Sequence, residues 1–386
     1  MKKRVLVYNG YYLPSKNYGG PTSSLVSIVE NCSDEFDFYI IAANHDFNSS
    51  EVFQGISSGW NNVGKAKVLY LDLKETYFNI KRNREIIEEV LPDVVWFMGI
   101  LVPYDKWFVA KLCRKLKIPY ILSPRGEVCD NAIRIKPLKK RLVIVATRLL
   151  RTYKSAWYHA TCQEEINGLI KYYHIKEERV FYAPNIPNNL HGTRKESNKV
   201  SGCLNAVYIS RIHETKNLLL AICAINKLPG NVKFDIFGPI ESSDYWERCQ
   251  TEINCAPKNV HIRYCGVLDA SLVTKTFGKY DCFVLPTLSE NFGHVIAEAL
   301  SADCPVVLSK GTTPWDDLDR KAGFTCNVEK VDSFTESLLN ILNMDENEYQ
   351  RMLDSTYEYY TKKMDEFDSV QKHINMLNSV IENKQS

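Results

Sequence analysis

Residues 282–300 read CFVLPTLSENFGHVIAEAL, and this segment is the most informative about the fold class. The short apolar run 282–285, closed by Pro286, is typical of a buried strand. A polar loop follows as far as Gly293, where a helix is predicted to begin. The stretch therefore predicts a strand, a loop and a helix in succession, which is the repeating unit of an α/β protein.

The same alternation extends in both directions from this stretch. It predicts parallel strands with crossover helices, and hence two doubly wound, Rossmann-like domains whose ligands bind at the carboxyl ends of the strands. Strands are predicted at 5–8, 36–42, 94–98, 120–122, 157–160, 204–209, 233–237, 261–264 and 306–308. Helices are predicted at 22–31 (capped by Thr22 or Ser23), 81–90, 106–116, 138–153, 217–227, 245–254, 270–277, 293–301 and throughout 332–382.

Length and composition predict where the domains divide. A chain of 386 residues is long enough for two domains of ordinary size. The segment 186–202 is rich in Asn, Ser and Lys and lacks an apolar period, so it is predicted to be a linker. The N-terminal domain is then 1–185 and the C-terminal domain 203–365, with a cleft expected between them.

Charge and motifs argue against several functional classes. The 48 basic and 46 acidic residues nearly balance, so no nucleic-acid partner is expected. The 12 cysteines include no CxxC spacing, which argues against a disulfide scaffold and a zinc site and indicates a reducing cytoplasm. The motifs GxGxxG, GxxxxGKS/T, GxSxG and HExxH are absent from the sequence, and no metal site is predicted.

Two cations follow the predicted strand 204–209. Arg211 and Lys216 lie on one strand-to-helix loop. Free amides and the helix dipole favour an anion there, and Arg and Lys side chains bind phosphate oxygens. The pair therefore indicates a diphosphate site, although two ordinary surface charges would give the same pattern.

Two carboxylates belong to the stretch 282–300. Glu290 lies in the loop and Glu298 in the second turn of the helix, and carboxylates accept hydrogen bonds from vicinal sugar hydroxyls. Gly293 would let a ligand approach the backbone closely. The alternatives are that Glu290 caps the helix and that Glu298 lies on a solvated face.

Together these motifs resemble the retaining family 4 glycosyltransferases, which have the GT-B fold. Arg211-x4-Lys216 followed by Glu290-x7-Glu298 carries the resemblance, and SENFGHVIAEALSADCPVVLS is similar to the family's donor-site block. Gly19-Gly20-Pro21 resembles its glycine-rich loop. The segment 123–127, SPRGE, resembles the border of the reaction centre in enzymes of bacterial polysaccharide synthesis.

The resemblance implies a role for each matched residue. Glu298 would bind the ribose of a nucleotide sugar, and Arg211 and Lys216 would bind its diphosphate and stabilise the leaving group. Arg125 is assigned to the catalytic site in place of the histidine that many members carry. The donor sugar and phosphates would contact Glu290, the backbone at Asn291, Phe292, Gly293 and His294, and the loop of Gly19 and Gly20.

The resemblance also implies the reaction. The chain would be a retaining, metal-independent hexosyltransferase without a cofactor that moves a sugar from a nucleotide diphosphate sugar to a glycan acceptor, lipid-linked, in O-antigen or capsule synthesis. The last helix, about 366–386, would pack back on the first domain, as in similar folds. The alternatives are a nucleotide-sugar epimerase of the same architecture and a non-catalytic protein that binds nucleotide sugars.

The segment 133–154 carries eight basic residues and no acidic residue. Within it Leu138, Leu142, Val145 and Leu149 recur with helical spacing. Two interpretations stay open: a core-facing stripe beneath a solvated basic face, or a surface that attaches to anionic lipids. The second would make the enzyme cytoplasmic and peripheral on the inner face of the membrane.

Overall fold

The computed structural model describes residues 2–15, 20–46, 49–72, 79–101, 104–134 and 137–383. The chain divides into two compact units: Met1–Ile186 with Phe367–Ser386, and Pro187–Glu366. Each unit contains its own, mainly parallel sheet together with helices. The doubly wound α/β class predicted from the alternation is confirmed.

The described part of the first unit forms a sheet with the strand order β3-β4-β2-β1-β5-β6-β7-β8. Its pairings are parallel except that of β3 with β4. All five residues of β5 are buried, as expected of a parallel strand covered on both faces. The strands are β1 (Lys3–Tyr8), β2 (Phe36–Ala43), β3 (Trp60–Val63), β4 (Ala66–Leu71), β5 (Val94–Met98), β6 (Tyr120–Ser123), β7 (Trp157–Ala160) and β8 (Val180–Tyr182).

In the second unit the described strands are arranged in the order β11-β10-β9-β12-β13-β14, and all their pairings are parallel. In the sheet, β9 lies between β10 and β12. The strands β9, β10 and β11 follow one another in one direction, and β12, β13 and β14 follow in the other, so the strand order reverses between β9 and β12. The strands are β9 (Cys203–Ile209), β10 (Asn231–Phe237), β11 (Val260–Tyr264), β12 (Cys282–Leu285), β13 (Val306–Ser309) and β14 (Gly323–Cys326).

Helices connect these strands. Those of the first unit are α1 (Gly20–Cys32), α2 (Ile80–Val90), α3 (Tyr104–Leu116), α4 (Asp130–Arg134), α5 (Pro137–Leu149) and α6 (Gln163–Gly168). In the second unit they are α7 (Leu218–Ile225), α8 (Ser243–Asn254), α9 (Val273–Phe277), α10 (His294–Ser301), α11 (Val331–Asn343) and α12 (Glu346–Phe367). The last helix, α13 (Ser369–Glu382), belongs to the first unit, where it packs against α1 and β5. None of the helices in the described ranges is long and apolar enough to cross a membrane.

The structure corrects four local predictions. The helix α1 begins at Gly20, so Thr22 and Ser23 lie inside its first turn instead of capping it. The helix α5 ends at Leu149, four residues earlier than predicted, and Arg151 then has a left-handed backbone (φ 48°). The region 332–382 is three helices, with a break before Glu346 and another at Asp368 (φ 44°). The stripe Leu138, Leu142, Val145 and Leu149 is exposed, so its core-facing interpretation is wrong.

The segment 187–202, which has neither helix nor strand, is fastened to the second unit. The Thr193 amide donates to the Ser301 carbonyl (2.7 Å), and the Lys195 amide to Asp303 (3.1 Å). The Ser197 amide donates to the Gln350 side chain (2.9 Å). These backbone hydrogen bonds explain how a polar segment without an apolar period is ordered.

Candidate functional site

The residues predicted in the second half follow the carboxyl ends of β9 and β12, on the two loops or on the helix α10. These are neighbouring strands, and the strand order of the sheet reverses between them. In doubly wound sheets, ligands bind at such a switch point. The candidate site is therefore formed by the loops that follow β9, β10 and β12.

Arg211 lies two residues beyond β9, where the pairing of β9 with β10 continues past the strand ends. The Ile212 amide donates to the Pro239 carbonyl (2.9 Å), and the Glu241 amide to the Ile212 carbonyl (3.1 Å). This register places Arg211 beside Glu241, and Nη1 of Arg211 lies 3.0 and 2.8 Å from the two carboxylate oxygens. A cation predicted to bind diphosphate is thus paired with a carboxylate of the next loop.

Gly238 is what permits the close approach of these two loops. Its backbone has φ 141°, and a Cβ atom there would lie 1.9 Å from the Ser210 carbonyl oxygen. Any other residue would separate the loops, because the obstructing atom belongs to the backbone.

Lys216 ends a 3₁₀ turn, Glu214–Lys216, and its side chain turns inward. The turn begins at His213, whose Nδ1 accepts the Thr215 amide (3.2 Å), and Asn217 ends it with a left-handed backbone (φ 54°). The ammonium group of Lys216 donates to Oε2 of Glu290, and the two side chains are 10% and 20% exposed. The structure therefore brings together two of the four predicted catalytic residues.

The loop that carries Glu290 is held on both sides. The Leu288 amide donates to the Thr215 carbonyl, and the Glu290 amide to the Thr312 carbonyl (both 2.8 Å). The ring of Phe292 is buried against Trp315, whose Nε1 donates to the Phe292 carbonyl (2.5 Å). The Lys216–Glu290 pair is thus supported by backbone bonds to neighbouring loops.

Gly293 joins this loop to α10. It has φ 76°, and a Cβ atom there would lie 2.7 Å from Cδ1 of Ile296 and 3.0 Å from Cγ of Glu290. Gly293 is itself the N-cap of α10, while the Glu290 carboxylate is turned to Lys216. The alternative that Glu290 caps the helix is therefore wrong. His294 is the first residue of α10, and its ring lies 5.0 Å from that of Phe292.

Glu298, in the second turn of α10, is half-buried instead of lying on a solvated face. Its Oε1 accepts a hydrogen bond from Nδ2 of Asn188 (2.7 Å). Desolvation by burial raises the pKa of Glu298 to about 7, against the opposing effect of the Asn188 hydrogen bond. The side chain is thus only partly ionised near neutral pH.

The remaining predicted residues lie in the first unit. Gly19 lies outside the described residues, and Gly20 is the exposed first residue of α1. Arg125 follows β6 with a left-handed backbone (φ 54°). Its Nη1 donates to Oδ1 of Asn185 (2.8 Å), and Nε and Nη2 lie 3.4 and 3.3 Å from Sδ of Met98.

The surroundings of Arg125 fix both its charge and its backbone. Burial lowers the pKa of Arg125 to about 10, so the guanidinium stays charged at neutral pH, with the Glu165 carboxylate opposing the shift. That buried carboxylate accepts the Gly126 amide and, at 2.6 Å, the Thr161 amide. Its pKa is raised by burial.

His159, in β7, is wholly buried. Its Nδ1 lies 2.7 Å from the Ser123 hydroxyl, and its Nε2 lies 2.8 Å from the Ala183 carbonyl. Both ring nitrogens therefore have internal partners, and burial lowers the pKa of His159 well below its usual value. His159 supports the first unit and is not available to a ligand.

Sequence reasoning missed three polar residues around the predicted ones: Glu241, Asn188 and Asn185. Glu241 sits in the segment FGPIES, between β10 and α8. Both asparagines sit in PNIPNN (184–189), where the predicted N-terminal domain ends at 185 and the predicted linker begins at 186. Polar side chains concentrated where the chain crosses between two α/β units were a usable signal. In the described ranges, no group of three His, Cys, Asp or Glu is arranged to hold a metal ion.

Comparison with known proteins adds to this geometry. Residues 192–359 match the family model described as "Glycosyl transferases group 1". The match contains Arg211, Lys216, Glu290 and Glu298 and lies within the second unit. No curated protein matches the chain by sequence.

Solved structures match over nearly the whole length. The Anabaena protein HepE, in complex with UDP and glucose, has a TM-score of 0.73 at 14% identity over 98% of this chain and 100% of that one. The E. coli trehalose-6-phosphate protein bound with UDP-2-fluoro glucose scores 0.68 at 11% identity over 98% and 99% of the two chains. The lipopolysaccharide outer core galactosyltransferase WaaB scores 0.60 at 12% identity over 95% and 98%.

The chain has the GT-B fold. Residues 192–359 thus match a glycosyltransferase family, and the chain as a whole shares the fold of these solved structures.

Proposed function

We propose that the chain is a retaining glycosyltransferase of family 4. It moves a sugar from a nucleotide diphosphate sugar to a lipid-linked glycan acceptor in the synthesis of O-antigen or capsule. The observation that carries the proposal is the buried Lys216–Glu290 pair at the switch point of the second sheet, inside the part of the chain that matches the family model. Arg211 and Glu298 follow the same two strands.

The positive charges of Arg211 and Lys216 suit the departure of a nucleoside diphosphate. Breaking the bond between the sugar and the phosphate oxygen leaves negative charge on the diphosphate, which needs no proton near pH 7. Arg211 and Lys216 stabilise that charge, and Lys216 is already held by Glu290, so little reorganisation accompanies the reaction. Because the two side chains supply positive charge, we propose that turnover needs no added divalent metal.

Glu290 and Glu298 bind the two sugar parts of the donor. Glu290 holds Lys216, and its carboxylate oxygens can also accept hydrogen bonds from the transferred sugar. Glu298 accepts hydrogen bonds from the ribose hydroxyls in place of Asn188. The bound UDP of HepE and UDP-2-fluoro glucose of the E. coli protein make UDP the first donor nucleotide to test.

The acceptor part of the proposal is supported by the first unit. The segment 123–127 resembles that of bacterial polysaccharide enzymes, and WaaB is named as acting on the lipopolysaccharide core. Arg125 is a charged group at the carboxyl end of β6, so we assign it to the reaction centre. A lipid-linked acceptor made in the cytoplasm agrees with the basic segment 133–154.

Thermal shift without metal tests the donor site, using UDP, GDP, ADP, CMP and NAD. A nucleotide at about 100 times its dissociation constant adds about 2.7 kcal/mol of stability. For a unit the size of Pro187–Glu366 this is on the order of 5–10 °C. The variant Glu298→Ala should lose the shift, whereas Glu329→Gln, an exposed control in the same unit, should keep it.

Product analysis then separates the reactions. Transfer predicts release of free nucleoside diphosphate that requires an acceptor and persists with a chelator. Conversion of the nucleotide sugar without acceptor would show an epimerase, and binding without release would show a non-catalytic protein. A shift with NAD alone, or with none of the diphosphates, would contradict the proposed donor site.

A further inference from the structure

The outer face of α5 has a feature that sugar transfer does not explain. Leu138, Leu142 and Leu149 are 78%, 71% and 78% exposed, and Val145 is 47% exposed. At about 100° per residue these four side chains fall within a sector roughly 60° wide. Soluble proteins rarely expose a continuous apolar stripe of this kind without a partner.

Packing of the first unit does not require this stripe. The helix α5 is attached through its opposite side, where Ile144 and Thr147 are buried and Ile144 belongs to a hydrophobic core cluster of the first unit. The hydroxyl of Thr147 is satisfied within the helix, at 2.9 Å from the Val143 carbonyl and 2.8 Å from the Ile144 carbonyl. The helix therefore has two apolar faces, and folding accounts for only the inner one.

Cations border the stripe on both sides. At helical spacing Lys139 lies on one flank, and Arg141 and Arg148 lie on the other, and all three are exposed. Beyond the helix end, Arg151 and Lys154 join Arg148 in lining a cavity of about 480 Å³. The acidic Asp130 of the preceding helix is paired with Lys171 (2.8 Å), so it does not offset this positive charge.

We propose that α5 lies on an anionic lipid bilayer. Its leucines would enter the boundary between headgroups and acyl chains, and the flanking cations would contact lipid phosphates. A second copy of the chain is a poorer occupant, because it would set two clusters of positive charge against each other. The proposal rests on α5 alone, so it stands independently of the proposed transfer reaction.

Co-sedimentation of the full chain with vesicles tests this surface. The vesicles contain phosphatidylcholine alone or phosphatidylcholine with phosphatidylglycerol, each at low and high salt. The apolar variant is Leu142→Ser with Leu149→Ser, and its control is Val200→Ser, another exposed apolar residue. The charge variant is Arg141→Glu with Arg148→Glu, and its control is Lys233→Glu with Lys258→Glu, two exposed lysines of the second unit.

The wild-type chain should bind the anionic vesicles, and salt should weaken that binding. The serine pair should weaken binding at least about tenfold. Each removed cation should weaken it roughly fivefold. Both controls should bind as the wild type does.

Three results would overturn the proposal. The first is no binding of the wild type to anionic vesicles, and the second is equal binding by wild type and variants. The third is a wild-type dimer that the serine pair dissociates, which would assign α5 to self-association. Nucleotide-induced thermal shifts should be unchanged in every variant, so an unfolded variant or a misread donor site would be recognised separately.

Discussion

Replacing Glu298 by glutamine tests the donor site through pH. Burial raises the pKa of this carboxyl to about 7 in the ligand-free protein, and a ribose diol is bound best by the ionised form. From pH 6 to pH 8 the ionised fraction rises from about one tenth to about nine tenths. The wild-type affinity for a nucleotide sugar should therefore rise roughly tenfold, whereas Glu298→Gln should bind about 10–100-fold more weakly with no such rise.

The same variant should raise the stability of the fold above neutral pH, although it weakens donor binding. The Glu298 carboxyl has its usual pKa of 4.5 in the unfolded chain and about 7 in the folded protein. Between these values the folded protein binds more protons, so stability is present at low pH and is lost as pH rises through the window. The difference corresponds to roughly 3 kcal/mol above pH 7. Glu298→Gln, which carries no charge, should therefore be more stable than wild type at pH 8 without ligand.

Melting temperatures at pH 6 and pH 8, with and without a nucleotide sugar, measure both effects. A nucleotide sugar is preferred to a free diphosphate, because a terminal phosphate itself titrates near pH 6. Burial also raises the pKa of Asp303 to about 6, so only the difference between wild type and variant isolates Glu298. Parallel pH profiles in the two proteins, for binding and for melting, would refute the assigned role.

Two further predictions concern the cation that follows β9. Arg211→Ala should lower kcat about 10²–10³-fold, because the guanidinium stabilises the leaving group. The melting temperature should stay nearly unchanged, because this exposed side chain contributes little to the stability of the fold. A wild-type kcat would contradict this prediction. Glu241→Gln should release Arg211 and strengthen nucleotide binding up to about fivefold in calorimetry. Glu247→Gln, an exposed change on α8, is its control, and weaker binding by Glu241→Gln would show that Glu241 itself contacts the donor.

Most buried parallel strands could be predicted from the sequence, although β4 (AKVLYL) was not predicted despite its apolar run. The strand at 94–98 and the one at 157–160 were located to the residue, since each is a short apolar run beside a helical pattern. The strands β3 and β14, WNNV and GFTC, lack such a run and were not predicted. Their place in the sheet is determined by pairing with β4 and β13, which a local pattern does not contain.

The candidate site was predictable in its residue types but not in its pairs. The motif places Arg211 after β9 and Glu298 after β12, yet their partners Glu241 and Asn188 are 30 and 110 residues away along the chain. Such contacts depend on strand register and on the path of a segment without regular structure. For this reason Asn188 was assigned to a linker although it supplies a hydrogen bond to Glu298.

The helix α5 shows why periodicity alone does not identify the core face. Leu138, Leu142, Val145 and Leu149 form a better stripe by sequence than the residues that are buried, Ile144 and Thr147. An apolar stripe indicates which residues share a face of the helix, but it does not indicate what covers that face. The absence of acidic residues over 133–154 is the sequence feature that agrees with the proposed contact between α5 and an anionic membrane.

The two ion pairs after β9 differ in burial, and this decides how each variant can be interpreted. Arg211 is 55% exposed, so its loss costs at most about 1 kcal/mol of folding free energy. Lys216 is 10% exposed, and removing it alone would leave the Glu290 charge uncompensated at a cost of about 3–5 kcal/mol. An inactive Lys216→Met protein could therefore be an unfolded one. The double variant Lys216→Met with Glu290→Gln removes both charges and should recover the melting temperature. If it also recovered turnover, the Lys216–Glu290 pair would be structural; recovery of the fold without turnover would show that the pair serves the reaction.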